Sequence, residues 1–399
     1  MNDQGRIDPF VTDLSLVNMV LSFSVSVFSY TIVLILQDHA IPVFLAGLGL
    51  SVGQGLSIAT SMYFGRMNDR GHSYGLMIFG SVLYASILII LFIVMRFNIL
   101  ILIVVPVITV FIVIFEGMFR SSMNSFISKA VVQEKLASSF SRVNALEMIG
   151  SAASFAVLIY GAISSILLLI YLGSGLLLTA VAVTVFGLIH GDARSSMKAL
   201  VSQVKRPGFM ESFRRLRSRM DTIAPMTLTK GLTYVGMLSF MYFYVPTGVY
   251  IGINPAYSFA ILMVTFILAS AFSRYGEKIL SNGVDFGRRN FTYAALNDLV
   301  TYSLLLLSIV MKNDILFIVS VLTSAPNPIF TSGAISYEVS VVGRENRGLY
   351  GSVQRMVIGL SGAFAIFPIS FIFSVNITYL WLVIVGVSAA AVAVSVLIR

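Results

Sequence analysis

Along the whole chain, long apolar runs alternate with short polar turns, and each run is close to the length of a membrane crossing. A helix needs ~20 residues to cover ~30 Å of hydrocarbon. Twelve such runs can be placed, at 12–36, 41–64, 74–95, 98–128, 138–162, 165–190, 222–247, 254–275, 289–311, 314–338, 347–373 and 376–398. The fourth is the least typical, because its second end is polar. The longest polar piece, Gly191 to Asp221, separates two sets of six. The pattern predicts an all-α polytopic membrane protein of two six-helix bundles, 1–190 and 222–399, joined by a basic linker over 191–221.

Composition agrees with little mass outside the bilayer. Of 399 residues, 57% are hydrophobic and 11% charged, against roughly 25% charged in a soluble domain; the mean hydropathy is +0.93. With no cysteine, disulfides, thiolate metal sites and thiol nucleophiles are excluded. His39, His72 and His190 are scattered at predicted helix ends, which argues against a metal cluster. No nucleophile-plus-base arrangement, phosphate loop or nucleotide motif is present. The chain therefore reads as neither an enzyme nor an ATP-driven pump, and no cofactor is expected. The opening MNDQGRIDPF lacks the basic start, apolar core and cleavage site of a signal peptide.

The net charge of +9 looks like a nucleic-acid signal until it is mapped. Arg120, Lys230 and Arg355 fall well inside spans, Arg96 and Lys312 in outer turns, and the rest at the chain ends, in the loops or at the adjoining helix ends. The remaining 21 of the 26 basic residues lie on one side of the twelve-span layout. By the positive-inside rule that side is the cytoplasm, and both termini are in it. The excess is a topology signal for an integral protein of the plasma membrane, with no nucleic-acid partner. Within the linker, Phe209, Phe213, Leu216 and Met220 repeat at helical spacing among Arg214, Arg215, Arg217 and Arg219. That pattern predicts an amphipathic helix in the inner headgroup layer, drawn to anionic lipid; a solvated linker is the alternative.

The stretch from Phe115 to Gly150 carries charges where a membrane helix normally has none. Glu116 and Arg120 are four apart and share a helical face. Arg120 lies about 13 residues before the polar turn near Glu134, and Glu147 about 14 after it. Both then sit ~20 Å from the bend, level with one another. They are a candidate buried pair. An offset of 211 residues sets this stretch on 326–361 with six identities over 36 positions, Glu134 falling on Glu345 and Ser121 on Ser332. The charges do not repeat: Arg120 falls on Thr331, Asn144 on Arg355 and Glu147 on Ile358. A duplicated frame with diverged polar contents suits two halves facing one asymmetric ligand.

After the second span comes GRMNDRGH, with Gly65, Asp69, Arg70 and Gly71. After the eighth comes NGVDFGRRN, with Asp285, Gly287, Arg288 and Arg289. Glycine permits a tight turn, and an acid beside bases at a helix end can pair across a bundle and with a helix N-terminus. These turns resemble the loop signature of the major facilitator superfamily. The first copy lacks the usual spacer before Gly71 and has His72-Ser73 where bases are typical; the second has a displaced first glycine. The resemblance covers the whole chain, since that family also has 6+6 spans and a basic central loop. It implies pseudo-twofold-related halves with substrate held between them near the midplane. It further implies a cytoplasmic gate of Asp69, Arg70, Asp285 and Arg288, with Glu134 and Glu345 as partners, that holds the outward-open state. The fifth and eleventh spans resemble the family's small-residue helix, with Gly150, Ser151, Gly359 and Gly362 allowing close packing between halves. The glycine–proline signature of its drug-antiporter branch is absent.

Inside the membrane the notable residues are Glu116, Arg120, Glu147, Lys230, Asp298 and Arg355, with Asn144 and Gln354 beside them. A charge at the bilayer centre costs ~2.5 kcal/mol or more, so each is expected to face a cavity or a partner. Static structural ion pairs are the plain alternative, and Lys230 and Asp298 are candidates to pair with each other. The functional expectation is a monomeric secondary active transporter that moves a small organic anion by alternating access with proton coupling, sodium being the other open coupling ion. Arg120 and Arg355 would grip the anion, with Asn144, Gln354 and Lys230 beside them. Glu116, Glu147 and Asp298 would carry protons. The alternatives are a proton-coupled antiporter for lipophilic cations or drugs, and a non-transporting receptor of the same fold.

Overall fold

The computed structural model describes residues 4–69, 72–130, 133–189, 220–280, 284–342 and 347–398, and its regular elements are helices. In order they are α1 (Gln4–Asp38), α2 (Val43–Asp69), α3 (Ser73–Phe97), α4 (Ile101–Ala130), α5 (Gln133–Ile163), α6 (Leu167–Ile189), α7 (Met220–Ile251), α8 (Pro255–Leu280), α9 (Val284–Met311), α10 (Asp314–Leu322), α11 (Asn327–Val342), α12 (Arg347–Val375) and α13 (Ile377–Val396). They make the twelve crossings expected, with one difference of form. The tenth run, 314–338, is not one continuous helix: it breaks over 323–326 and resumes as α11. Pro326 and Pro328 lack backbone donors and restrict the residues before them, so the ladder stops there.

Eleven spans are long and apolar enough to cross a membrane by composition. The twelfth crossing is α7, 32 residues long and diluted by buried glycine, threonine and tyrosine, including Gly231, Gly236, Tyr242, Tyr244 and Gly248. A helix wrapped by its neighbours need not dissolve in lipid, which is why hydropathy understates it. The same logic applies to α1, whose apolar window is 89% buried against 28–44% in the other ten spans.

The two sets of six pack alike. In the first, α1 lies on α5 and α6, α2 on α4, and α3 on α4 and α6; in the second, α7 lies on α12 and α13, α8 on α11, and α9 on α10, α11 and α13. The two sets meet through α5 with α8, α2 with α12, and α1 with α7. Exchanging the halves maps these three contacts onto themselves, so the arrangement is a pseudo-twofold pair of bundles.

Twelve crossings put both chain ends at one end of the bundle, here the terminal end. The opposite, far end is where the halves close most tightly. A Cβ added to Gly47 on α2 would lie 1.9 Å from Ser370 Oγ on α12, and Phe367 N–H donates to Ser51 Oγ at 2.8 Å. Between α5 and α8, Phe155 packs on Phe266 and Phe259, with ring centroids 5.2 and 6.5 Å apart. Aromatic faces and edges, Tyr30 of α1 among them, fill this seam. Of the small residues expected between halves, Gly359 does abut α2, its Cβ position 2.8 Å from Ile58 Cγ1. Gly150 instead faces Met19 of α1, within its own half, and Ser151 bonds Ser26 there at 2.9 Å.

Candidate functional site

Three side chains in the first bundle form a charged chain. Arg120 Nε donates to Glu116 Oε1 at 2.8 Å on the same helix, and Arg120 Nη1 donates to Glu147 Oε1 at 2.6 Å on α5. The other oxygen of Glu147 accepts from Asn18 Nδ2 of α1 at 3.4 Å. The chain thus runs from α4 through α5 to the central helix. The i,i+4 spacing and the equal depth of Arg120 and Glu147 bring the three together. One cation between two carboxylates leaves a net charge of −1 when both are ionised. These side chains keep 21–28% of their surface exposed, and Glu116 and Arg120 reach a cavity.

That cavity, about 190 Å³, lies between the halves, toward the terminal end. The first half lines it with Gln54, Ser57, Thr60 and Phe64 of α2 and with α4 residues from Val113 to Asn124, including Glu116 and Arg120. The second half contributes Tyr234 of α7 and Arg355, Ile358 and Gly359 of α12. Gln54 Nε2 donates to the Tyr234 hydroxyl at 2.9 Å and ties the two halves at the cavity wall. The two walls differ in charge. The first carries Glu116 and Arg120, the latter paired to Glu147, which is not itself in the lining; the second carries Arg355, which makes no hydrogen bond or ion pair with the described residues.

Lys230 and Asp298 are not partners of one another. Lys230 Nζ donates to Glu338 Oε2 of α11 at 2.5 Å and sits 6.0 Å from the Phe291 ring. Glu338 also accepts from Tyr350 at 2.9 Å and from Gln354 Nε2 at 3.1 Å. Gln354 and Lys230 are therefore committed to a carboxylate whose side chain is 5% exposed, away from the residues that line the cavity. Asp298 accepts from Asn327 Nδ2 at 2.6 Å. Asn144 donates to Ser332 across the halves at 3.5 Å, joining the very stretches related by the 211-residue offset.

Of the expected gate residues, Gly65 is partly buried in the last turns of α2, and Asp69, Glu134 and Asp285 fall at helix ends. A Cβ at Gly287 would lie 3.0 Å from Tyr337 Cβ, so this glycine lets α9 and α11 approach. Arg288 is partly buried and Arg289 exposed. Arg70, Gly71, Glu345 and the basic linker helix lie outside the described residues. Among the described residues, no group of three or more His, Cys, Asp or Glu could hold a metal.

Sequence reasoning missed Asn18, Gln54, Tyr234 and Glu338. Glu338 stands at the very end of the tenth run, where a charge is ordinary and gives no signal of burial. Gln54 was visible as a lone amide in the middle of an apolar span.

A twelve-helix, twofold-related bundle with a polar cavity between its halves is the architecture of a membrane transporter. Residues 14–366 match the Major Facilitator Superfamily, and the chain belongs to that family. Two solved structures show the same fold. One is a bacterial homolog of the human lysosomal transporter Spinster, in an inward-facing and unoccupied conformation: 12% identical, TM-score 0.65, covering 97% of this chain and 94% of that one. The other is the Major Facilitator Superfamily transporter FucP in the outward conformation, 14% identical with TM-score 0.61 and 98% of both chains covered. No curated protein sequence matches the chain. Family and fold make this an integral membrane transporter of a small molecule, not an enzyme.

Proposed function

We propose that the protein is a secondary active transporter that carries a small organic anion together with a proton, with both termini in the cytoplasm of the cell and the cavity open toward that side. The observation that carries this reading is Arg355. Of the basic residues well inside the spans, Arg120 and Lys230 each have carboxylate partners, while Arg355 lines the cavity with none among the described residues. A partly buried guanidinium in the bundle interior gains from a counter-charge, and an anionic substrate supplies it with a planar, bidentate contact.

Charge balance then assigns the proton. With both glutamates ionised, the −1 chain and Arg355 make the cavity neutral, and an incoming monoanion would leave it at −1. Protonating Glu147 or Glu116 restores neutrality and frees part of the Arg120 fork to meet the substrate. Proton and anion therefore bind cooperatively, one for one, and travel in the same direction. Closure of the terminal end around Asp69, Arg70, Asp285 and Arg288, with Glu134 and Glu345, would alternate with the tight far-end seam. The halves 1–190 and 222–399 would move as the two rocking bodies, with the linker on lipid headgroups.

A second reading is favoured by Glu116, which also lines the cavity beside Phe64 and Met118. A lipophilic cation could displace Arg120 from it in exchange for protons. A thermal-shift screen of the purified protein with organic anions, sugars and lipophilic cations separates the two. The anion reading expects stabilisation by a monoanion, with apparent affinity rising as pH falls from 7.5 to 5. Stabilisation by cations alone, strengthened at high pH, would overturn it.

A further inference from the structure

The break in the tenth crossing holds a second polar cluster, in the other bundle and apart from the cavity. Asp298 on α9 is 8% exposed and forms no ion pair with the described residues. Its one donor among the described residues is neutral: Asn327, the first residue of α11, through Nδ2 at 2.6 Å. Beside it, Asn297 Nδ2 donates to the Thr323 carbonyl at 2.7 Å, and the hydroxyls of Thr301 and Thr323 are 3.2 Å apart. Two donors are thus spent on the break, and two acceptors are left over. The amide oxygens of Asn297 and Asn327 are both buried and have no hydrogen-bond partner.

Each such oxygen costs free energy unless something positive meets it. The N-terminus of α11 offers its dipole to Asp298, and a proton would neutralise the carboxylate. Neither satisfies the amide oxygens. A cation held among them would meet both needs, and unwound helix segments are where transporters expose oxygens for that purpose. The charge count selects its valence. One carboxylate among neutral oxygens matches a single positive charge, whereas a divalent ion would leave an uncompensated charge in a low-dielectric site.

We propose that the break between α10 and α11 binds a monovalent alkali cation, ligated by the Asp298 carboxylate, the amide oxygens of Asn297 and Asn327, and the hydroxyls of Thr301 and Thr323. Asn297 and Asn327 are themselves partly exposed, which gives the ion a way in. The site does not depend on which solute the cavity carries.

The test is the melting of the purified full chain as choline chloride is exchanged for lithium, sodium or potassium chloride at constant ionic strength. The expected result is a saturable rise in melting temperature that ranks the three ions. Asp298→Asn should lose the rise, and Asn327→Ala and Thr301→Val should move half-saturation at least tenfold higher; these two keep the test open if Asp298→Asn does not fold. No rise with any alkali ion, a rise unchanged in all the folded variants, or stabilisation by acid alone would overturn the site.

Discussion

Lys230→Met is expected to cost about 3–5 kcal/mol of stability, because it leaves a buried carboxylate without its counter-charge. Glu338 is 5% exposed and collects Lys230, Tyr350 and Gln354. Its two neutral donors cannot replace a cation, since hydrogen bonds stabilise a charge without cancelling it. Thermal unfolding in mild detergent should show a large fall in melting temperature. The double variant Lys230→Met, Glu338→Leu should recover most of it, because two apolar side chains of similar volume can replace a buried pair at little cost. If Lys230 instead gripped substrate, the single variant would melt normally and lose ligand binding.

Arg355→Gln should do the reverse. It is expected to weaken anion binding roughly 10- to 100-fold, the worth of a charge-assisted contact of about 1.5–3 kcal/mol. The ligand-free protein should melt no lower than wild type, since the substitution removes a cation that has no partner among the described residues. Binding isotherms by tryptophan quenching or calorimetry, with melting curves on the same preparation, separate the two effects. Equal losses of stability and affinity would make Arg355 a structural residue.

These opposite expectations for two basic residues show how far the sequence could be read. Most of the twelve crossings are legible because hydropathy over ~20 residues is a strong signal, α7 being the diluted one, and the Glu116–Arg120–Glu147 chain follows from i,i+4 spacing and equal depth about one turn. Those are local quantities. Lys230 with Glu338 needs α7 beside α11, and Gln54 with Tyr234 needs α2 beside α7. Such adjacencies are set by how the bundles assemble, and nothing in the spacing of Lys230 along the chain points to Glu338 over Asp298. The break in the tenth crossing was written in Pro326-Asn327-Pro328, but the apolar run on either side masked it. Gly150 shows the same limit: its smallness was plain, and the helix it admits, α1, was not.

In the proposed cycle one cavity couples an anion to a proton. The most direct measurement uses proteoliposomes containing a trapped pH indicator, to which the stabilising anion from the screen is added outside with no imposed pH gradient. The account predicts that the lumen acidifies as the anion enters, and that Glu147→Gln removes the acidification. Anion entry with no change in lumenal pH, or alkalinisation in its place, would contradict it.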